Sequence, residues 1–143
     1  MNLDSMSPKF LSLLRFMSGL LFLEHGMQKI LHFPAALPPP PVAAAAATAT
    51  KAVAHGAPWF VKPAGYIELV GGLLITLGLF SRGAAFICSG EMAFAYFMSH
   101  AKKDFYPVNN GGDAAIMFCF LFLYFVFSGP GPFSIDQLMK KKI

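Results

Sequence analysis

Residues 113–128 read DAAIMFCFLFLYFVFS, and after Asp113 the run is apolar on every face that a helix could present. A helix with no polar side has to bury its whole circumference, in lipid or at the centre of a very large core. A soluble domain of about this length leaves roughly 30% of its unfolded surface in water and needs polar residues to cover it. Here 56% of the 143 residues are hydrophobic and 13% are charged, and the charges fall mostly in the connections. The run therefore predicts an integral membrane protein of one compact domain.

Three further apolar segments, Lys9–Leu31, Ala64–Phe80 and Gly83–Ser99, join Asp113–Ser128 to predict an all-α, four-transmembrane-helix bundle over residues 1–143. The last three segments are short for the ~20 residues of an ordinary span. At 1.5 Å per residue they reach about 25 Å, which local bilayer thinning and snorkelled flanks can accommodate. Trp59, Phe60 and Tyr106 flank helix ends, as interfacial anchors do. Ser81-Arg82-Gly83 reads as a tight turn that makes helices two and three antiparallel neighbours. Residues 34–58 are different: PPPP at 38–41 and AAAAATAT at 43–50 read as a low-complexity, solvent-exposed linker. The first segment imitates a signal peptide, but Arg15 interrupts it and no small-residue cleavage site follows promptly, so it is read as a retained helix. With four spans both termini share a side, and Lys140–Lys142 directly after the last helix favour N-in/C-in in the cytoplasmic membrane. The net charge of +4 suits anionic headgroups; no basic cluster alternates with aromatics as nucleic-acid binding would require. Cys88 and Cys119 lie in apolar segments and read as small hydrophobes.

Against this background all three glutamates of the chain, Glu24, Glu68 and Glu91, lie inside or at the mouth of apolar segments. Placing a charged residue at the bilayer centre costs roughly 2.5–3.5 kcal/mol, so such groups face an interior and have a purpose. On helix one, Ser12, Arg15, Ser18, Phe22, His25, Lys29 and His32 recur every three or four residues and hold one face in register. Gly19 and Gly26 beside this stripe would let a neighbouring backbone approach. Glu24 lies off it. Glu68 shares a face with Gly71 and Gly72, and Glu91 shares one with Ala84, Cys88 and Ala95. Small residues at that spacing mark helix–helix contact, so both acids are expected to look inward. Glu68, His25, Lys29 and His100 fall toward the outer half of such a bundle, with Glu91 about 13 Å below His100 along the helix.

Two readings of this set stand side by side. Carboxylates opposite Lys29, His25 or Arg15 can be buried pairs that fix helix register and nothing more. Alternatively Glu68, Glu91, His25, Lys29 and His100 bind a ligand or exchange protons, because loss of solvent and a second carboxylate both favour proton uptake by a carboxyl group. Arg15, Glu24, Arg82, Asp113 and Asp136 are assigned to charge pairing or capping, with Asp113 after Gly111-Gly112 as the cap of helix four. His25 and His100 have no HxxxH or ExxH spacing, so neither haem nor a metal site is supported. The chain has no P-loop, dinucleotide glycine fingerprint or nucleophile elbow, and catalysis by the chain alone is not supported. Four short helices with no inverted repeat also argue against a transporter.

Arg15, Gly19, Phe22, His25, Gly26 and Lys29 in helix one, Glu68, Gly71-Gly72 and Gly78-Leu79-Phe80-Ser81-Arg82 next, and His100 after helix three form an ordered pattern. Gly111-Gly112-Asp113, Gly129-Pro130-Gly131 and Ser134-Ile135-Asp136 complete it. In that order and spacing the chain resembles the DoxX family of small four-helix membrane proteins over about residues 10–137, leaving out the Pro/Ala insertion. Family members usually carry Glu at the position of Asp113, and the shorter side chain favours capping there. The resemblance implies an accessory subunit of a membrane oxidoreductase system, with quinone as the cofactor it admits. The partners it admits are the bilayer, membrane oxidoreductases and a second copy of the chain. The same resemblance admits a non-catalytic scaffold or assembly factor that stabilises partner membrane proteins.

Overall fold

The computed structural model describes residues 3–35 and 59–140, and every regular element among them is helical. The linker expected at 34–58 lies outside the described residues from position 36 onward, as do Lys141 and Lys142. Helix α1 runs Ser7–Leu31, with Pro8 in its first turn where a missing amide hydrogen costs nothing. Helix α2 spans Val61–Leu77 and is closed by Gly78 in the left-handed region, whose amide returns to the carbonyls of Ile75 and Leu74. Helix α3 spans Ser81–Ala95 and widens into a π-helical turn over Tyr96–His100. A single turn, α4 (Pro107–Asn110), precedes α5 (Asp113–Ser128) and the short C-terminal α6 (Ile135–Lys140).

The expected boundaries move at the junction of the second and third long helices. The reversal falls at Gly78–Phe80, and Ser81, Arg82 and Gly83 already belong to α3. The cause is distant in sequence. The Asp136 carboxylate accepts the amides of Phe80 (2.8 Å) and Ser81 (2.9 Å), and the Asp136 amide donates to the Gly78 carbonyl (2.9 Å). These bonds stand in for the amide partners that a helix start lacks.

The four long helices pack pairwise: α1 lies most extensively against α2, α3 against α5, and α2 against α3. At the first contact the backbones nearly touch. A Cβ on Gly72 would lie 2.6 Å from the Leu23 amide nitrogen, and one on Gly26 would overlap the Leu69 backbone. Behind this contact Phe22 meets Phe122 edge-on at 4.8 Å, and Phe118 stacks on Phe122 at 5.5 Å.

Polar side chains are buried beside the apolar core of Phe22, Ile75, Phe122 and Phe125, and many large apolar ones are exposed. Ser12, Arg15, Ser18, Glu68, Ser81, Ser89 and Glu91 are buried, while Phe10, Phe16, Leu21, Val70, Phe86, Ile87, Phe120 and Phe127 are exposed. Even so, among the described residues no helix is long and apolar enough to cross a membrane. The 25 residues of α1 carry Arg15, Glu24, His25 and Lys29; α2, α3 and α5 have 17, 15 and 16 residues. The all-helical expectation holds, and the span of each helix is not established by its own hydropathy.

Candidate functional site

Two polar centres lie at opposite ends of α1. Near its start, Arg15 is 2% exposed and its guanidinium is fully engaged. Nε donates to the Pro130 carbonyl at 2.9 Å, Nη1 to the carbonyls of Thr76 (2.7 Å) and Ile75, and Nη2 to the Phe133 carbonyl at 2.6 Å. Its partners are carbonyl groups left over at the end of α2 and in the turn after α5, so it ties three parts of the chain together without a carboxylate. Arg82 acts similarly on the end of α5, donating to the carbonyls of Phe127 (2.8 Å) and Val126. Ser12 Oγ accepts the Phe133 amide at 3.1 Å. Arg15, Arg82 and Asp136 therefore close one end by hydrogen-bonding backbone groups. No proton or ligand is needed to explain them.

Burial works to raise the Asp136 carboxyl, but the Ser81 and Phe80 hydrogen bonds and the Lys140 charge outweigh it and hold it below the usual carboxylate range. Asp113 is the first residue of α5 rather than its cap; the preceding Gly112 occupies that position and no side chain caps it. An acid in the first turn still complements the helix dipole. Glu24 is exposed and makes no hydrogen bond or ion pair among the described residues.

Toward the other end of α1 a cavity of about 280 Å³ brings together His25, Lys29, Glu68 and His100. Lys29 Nζ meets Glu68 Oε1 at 2.5 Å, with Glu68 only 2% exposed and Lys29 35%. The second oxygen, Glu68 Oε2, is buried and has no hydrogen-bond partner among the described residues. His25 stands edge-on to Phe118 at 6.3 Å, and Phe22, Met92 and Ala115 supply apolar wall. The cavity thus offers an ammonium, an unengaged carboxylate oxygen and two imidazoles within an apolar surround, the usual make-up of a small-molecule site.

His100 reaches this cavity because the π-helical turn displaces the end of α3, a distortion frequent at functional sites. Its Nδ1 lies 3.1 Å from the Asn110 carbonyl, and its ring stacks on Tyr96. Asn110 is in turn fixed: its Nδ2 donates to the Asp104 carbonyl (2.9 Å) and its Oδ1 accepts the Gly112 amide (2.7 Å). Asp104 Oδ1 accepts the Tyr106 amide at 2.7 Å. Asp104 and Asn110 are positioning residues that reading the sequence passes over, although the Asx-turn chemistry of DFYPVNNGG signals both.

Glu91 is buried but does not line this cavity. It interacts electrostatically with Glu68 and Lys29, and both of its carboxylate oxygens lack a hydrogen-bond partner among the described residues. Of the five residues expected to form one site, four share a cavity and the fifth faces another. Among the described residues no three of His, Cys, Asp and Glu stand together as metal ligands.

The sequence profile of the DoxX family matches residues 10–101, which include most of α1, all of α2 and α3, and the cavity residues His25, Lys29, Glu68 and His100. A Haemophilus influenzae protein without an assigned function is 42% identical over 99% of this chain and 98% of its own length. A Mycobacterium tuberculosis protein, named only as an uncharacterized membrane protein, is 25% identical over 98% of this chain and 87% of its own. No solved structure matches the chain significantly.

Proposed function

The chain belongs to the DoxX family of membrane proteins, and from that premise we propose that it is an accessory subunit of a membrane oxidoreductase system whose cavity binds a quinone-like ring. In this reading α1, α2, α3 with its π-helical turn, and α5 form a four-transmembrane-helix bundle in the cytoplasmic membrane. Both termini lie inside, and residues 1–143 form one domain. The belt of exposed Phe, Leu, Ile and Val supports it, since a patch of that extent in water would drive association. Polar groups inside the chain hold the short helices together, and flanking residues reach the headgroups.

The observation that carries the ligand assignment is the Lys29–Glu68 pair on the cavity wall, in which Glu68 is buried and its Oε2 has no hydrogen-bond partner among the described residues. A pair serving only to fix helix register gains by satisfying both oxygens. Here one acceptor is unmatched beside a space large enough for a single ring. Lys29 and His100 would donate to ring carbonyl oxygens, His25 would balance charge at the rim, and Phe22, Met92 and Ala115 would pack on the ring. Glu68 and Glu91, electrostatically coupled across α2 and α3, would take up and release the accompanying proton.

Isothermal titration of the detergent-solubilised protein with duroquinone, a ring without free positions for thiol addition, tests this. Saturable binding that falls tenfold or more in Lys29→Met supports the site; no saturable binding overturns it. A scaffold role is the weaker reading. It rests on Gly26 and Gly72 as contact points for partners, and both are occupied by the α1–α2 contact within the chain.

A further inference from the structure

Glu91 opens onto a second cavity, about 210 Å³ in volume, between the start of α2 and the middle of α3. Its walls are Trp59, Phe60, Ile67, Ile87 and Phe94, with Glu91 as the polar side chain among them. Glu91 is 8% exposed, and neither of its carboxylate oxygens has a hydrogen-bond partner among the described residues. The aromatic rings form a chain: Trp59 meets Phe60 edge-to-face at 5.9 Å, and Phe60 meets Phe94 edge-to-face at 5.8 Å.

The charged groups that act on Glu91 are Glu68, which repels its negative charge, and Lys29, which is already paired with Glu68 at 2.5 Å. Glu91 consequently has no counter-ion of its own among the described residues. A buried carboxylate in that position is costly unless a cation or a proton neutralises it. The walls decide which kind of cation. A metal ion would find no oxygen ligands beyond the one carboxylate and would stay under-coordinated. An organic ammonium needs one anion and aromatic faces for its remaining surface, and the cavity provides both.

We propose that this cavity is a second binding site, for a small organic monocation: an ammonium group on an apolar body about the size of one ring. The ammonium pairs with Glu91, and the body lies against Trp59, Phe60 and Phe94. Glu91 is shared with the proton exchange proposed above, but the two tests read different cavities: duroquinone binding reports on the Lys29–Glu68 cavity and the amine titration on this one.

Trp59 is the only tryptophan of the chain, so its fluorescence reports on this cavity alone. The protein in non-ionic detergent micelles is titrated with 2-phenylethylamine and, separately, with the neutral 2-phenylethanol at a pH where the amine is protonated. The expected result is saturable quenching by the amine, with the alcohol at least tenfold weaker and amine affinity reduced tenfold or more in Glu91→Gln. Equal response to amine and alcohol overturns the proposal, as does unchanged amine affinity in a folded Glu91→Gln protein. Should Glu91→Gln fail to fold, the comparison of amine with alcohol on the unaltered protein decides the matter by itself.

Discussion

Lys29 and Glu68 show how a single buried pair constrains this protein. Removing Lys29 strands a carboxylate that is 2% exposed, whereas removing both charges strands nothing. Lys29→Met is therefore expected to destabilise the protein by about 3 kcal/mol. The Lys29→Met/Glu68→Gln double variant should recover most of that loss. Thermal unfolding in detergent measures both, and a double variant less stable than the single one would refute the pairing argument. Arg15 presents a different case, a buried charge hydrogen-bonded to carbonyls, on which Asp136 acts only electrostatically. Its four hydrogen bonds to carbonyls use the planar spread of the guanidinium, which a lysine ammonium cannot reproduce. Arg15→Lys, charge-conserving as it is, should cost about 1–3 kcal/mol in the same measurement. Residue by residue, the sequence makes the inward register of Glu68 and Glu91 legible, because small residues recur beside each at helical spacing. It does not reveal that Arg15 would meet carbonyls. Those groups become available only where α2 and α5 end, and a pattern of side chains does not record them.

Helix boundaries depend on groups far away in sequence, and Asp136 is the clearest instance. It caps the amides of Phe80 and Ser81 across 55 to 56 positions, so the start of α3 cannot be found from the residues around it. Its folded pKa is depressed. Its contribution is therefore complete above the ordinary unfolded value of about 3.9 and disappears as pH falls through the lower folded value. Asp136→Ala should cost about 1 kcal/mol at neutral pH, as loss of a helix cap does. The two proteins should converge in stability as the solution is acidified below about pH 4; a gap that persists at acid pH would mean that packing, not the charge, is what Ala removes. The π-helical turn after α3 is equally hidden from helical periodicity. It was reached through the cavity that it helps to line, and the Asp104–Asn110 network that fixes His100 gives it a rigid frame. By contrast, α5 is legible in full, since an all-apolar run between Gly112 and Gly129 admits one reading.

At the scale of the whole molecule, polar groups share the core with apolar ones: Arg15, Glu68 and Glu91 are buried together with Phe22, Ile75, Phe122 and Phe125. Lipid tails are as apolar as leucine, so helix association in a bilayer relies on close packing and hydrogen bonds rather than on exclusion of water. The α1–α2 contact follows that logic: backbones approach at Gly26 and Gly72, and the Lys29–Glu68 pair and the Arg15 hydrogen bonds hold its two ends. A side chain at Gly72 would force the helices apart, since even its Cβ would lie 2.6 Å from the Leu23 amide nitrogen and 2.7 Å from the Leu23 Cα. Backbone cannot move aside as the end of a flexible side chain can, so Gly72→Leu should cost at least the 1–3 kcal/mol or so typical of overpacking. Gly83 is an internal control on the same scale. A Cβ there meets nothing within 4 Å, so Gly83→Leu should leave the protein intact. The comparison also separates the two functional readings. If the glycines serve packing within the chain, Gly72→Leu lowers the midpoint of thermal unfolding and the binding of duroquinone together. If they serve a partner, the purified protein keeps its stability and loses only what it carries with it from the membrane.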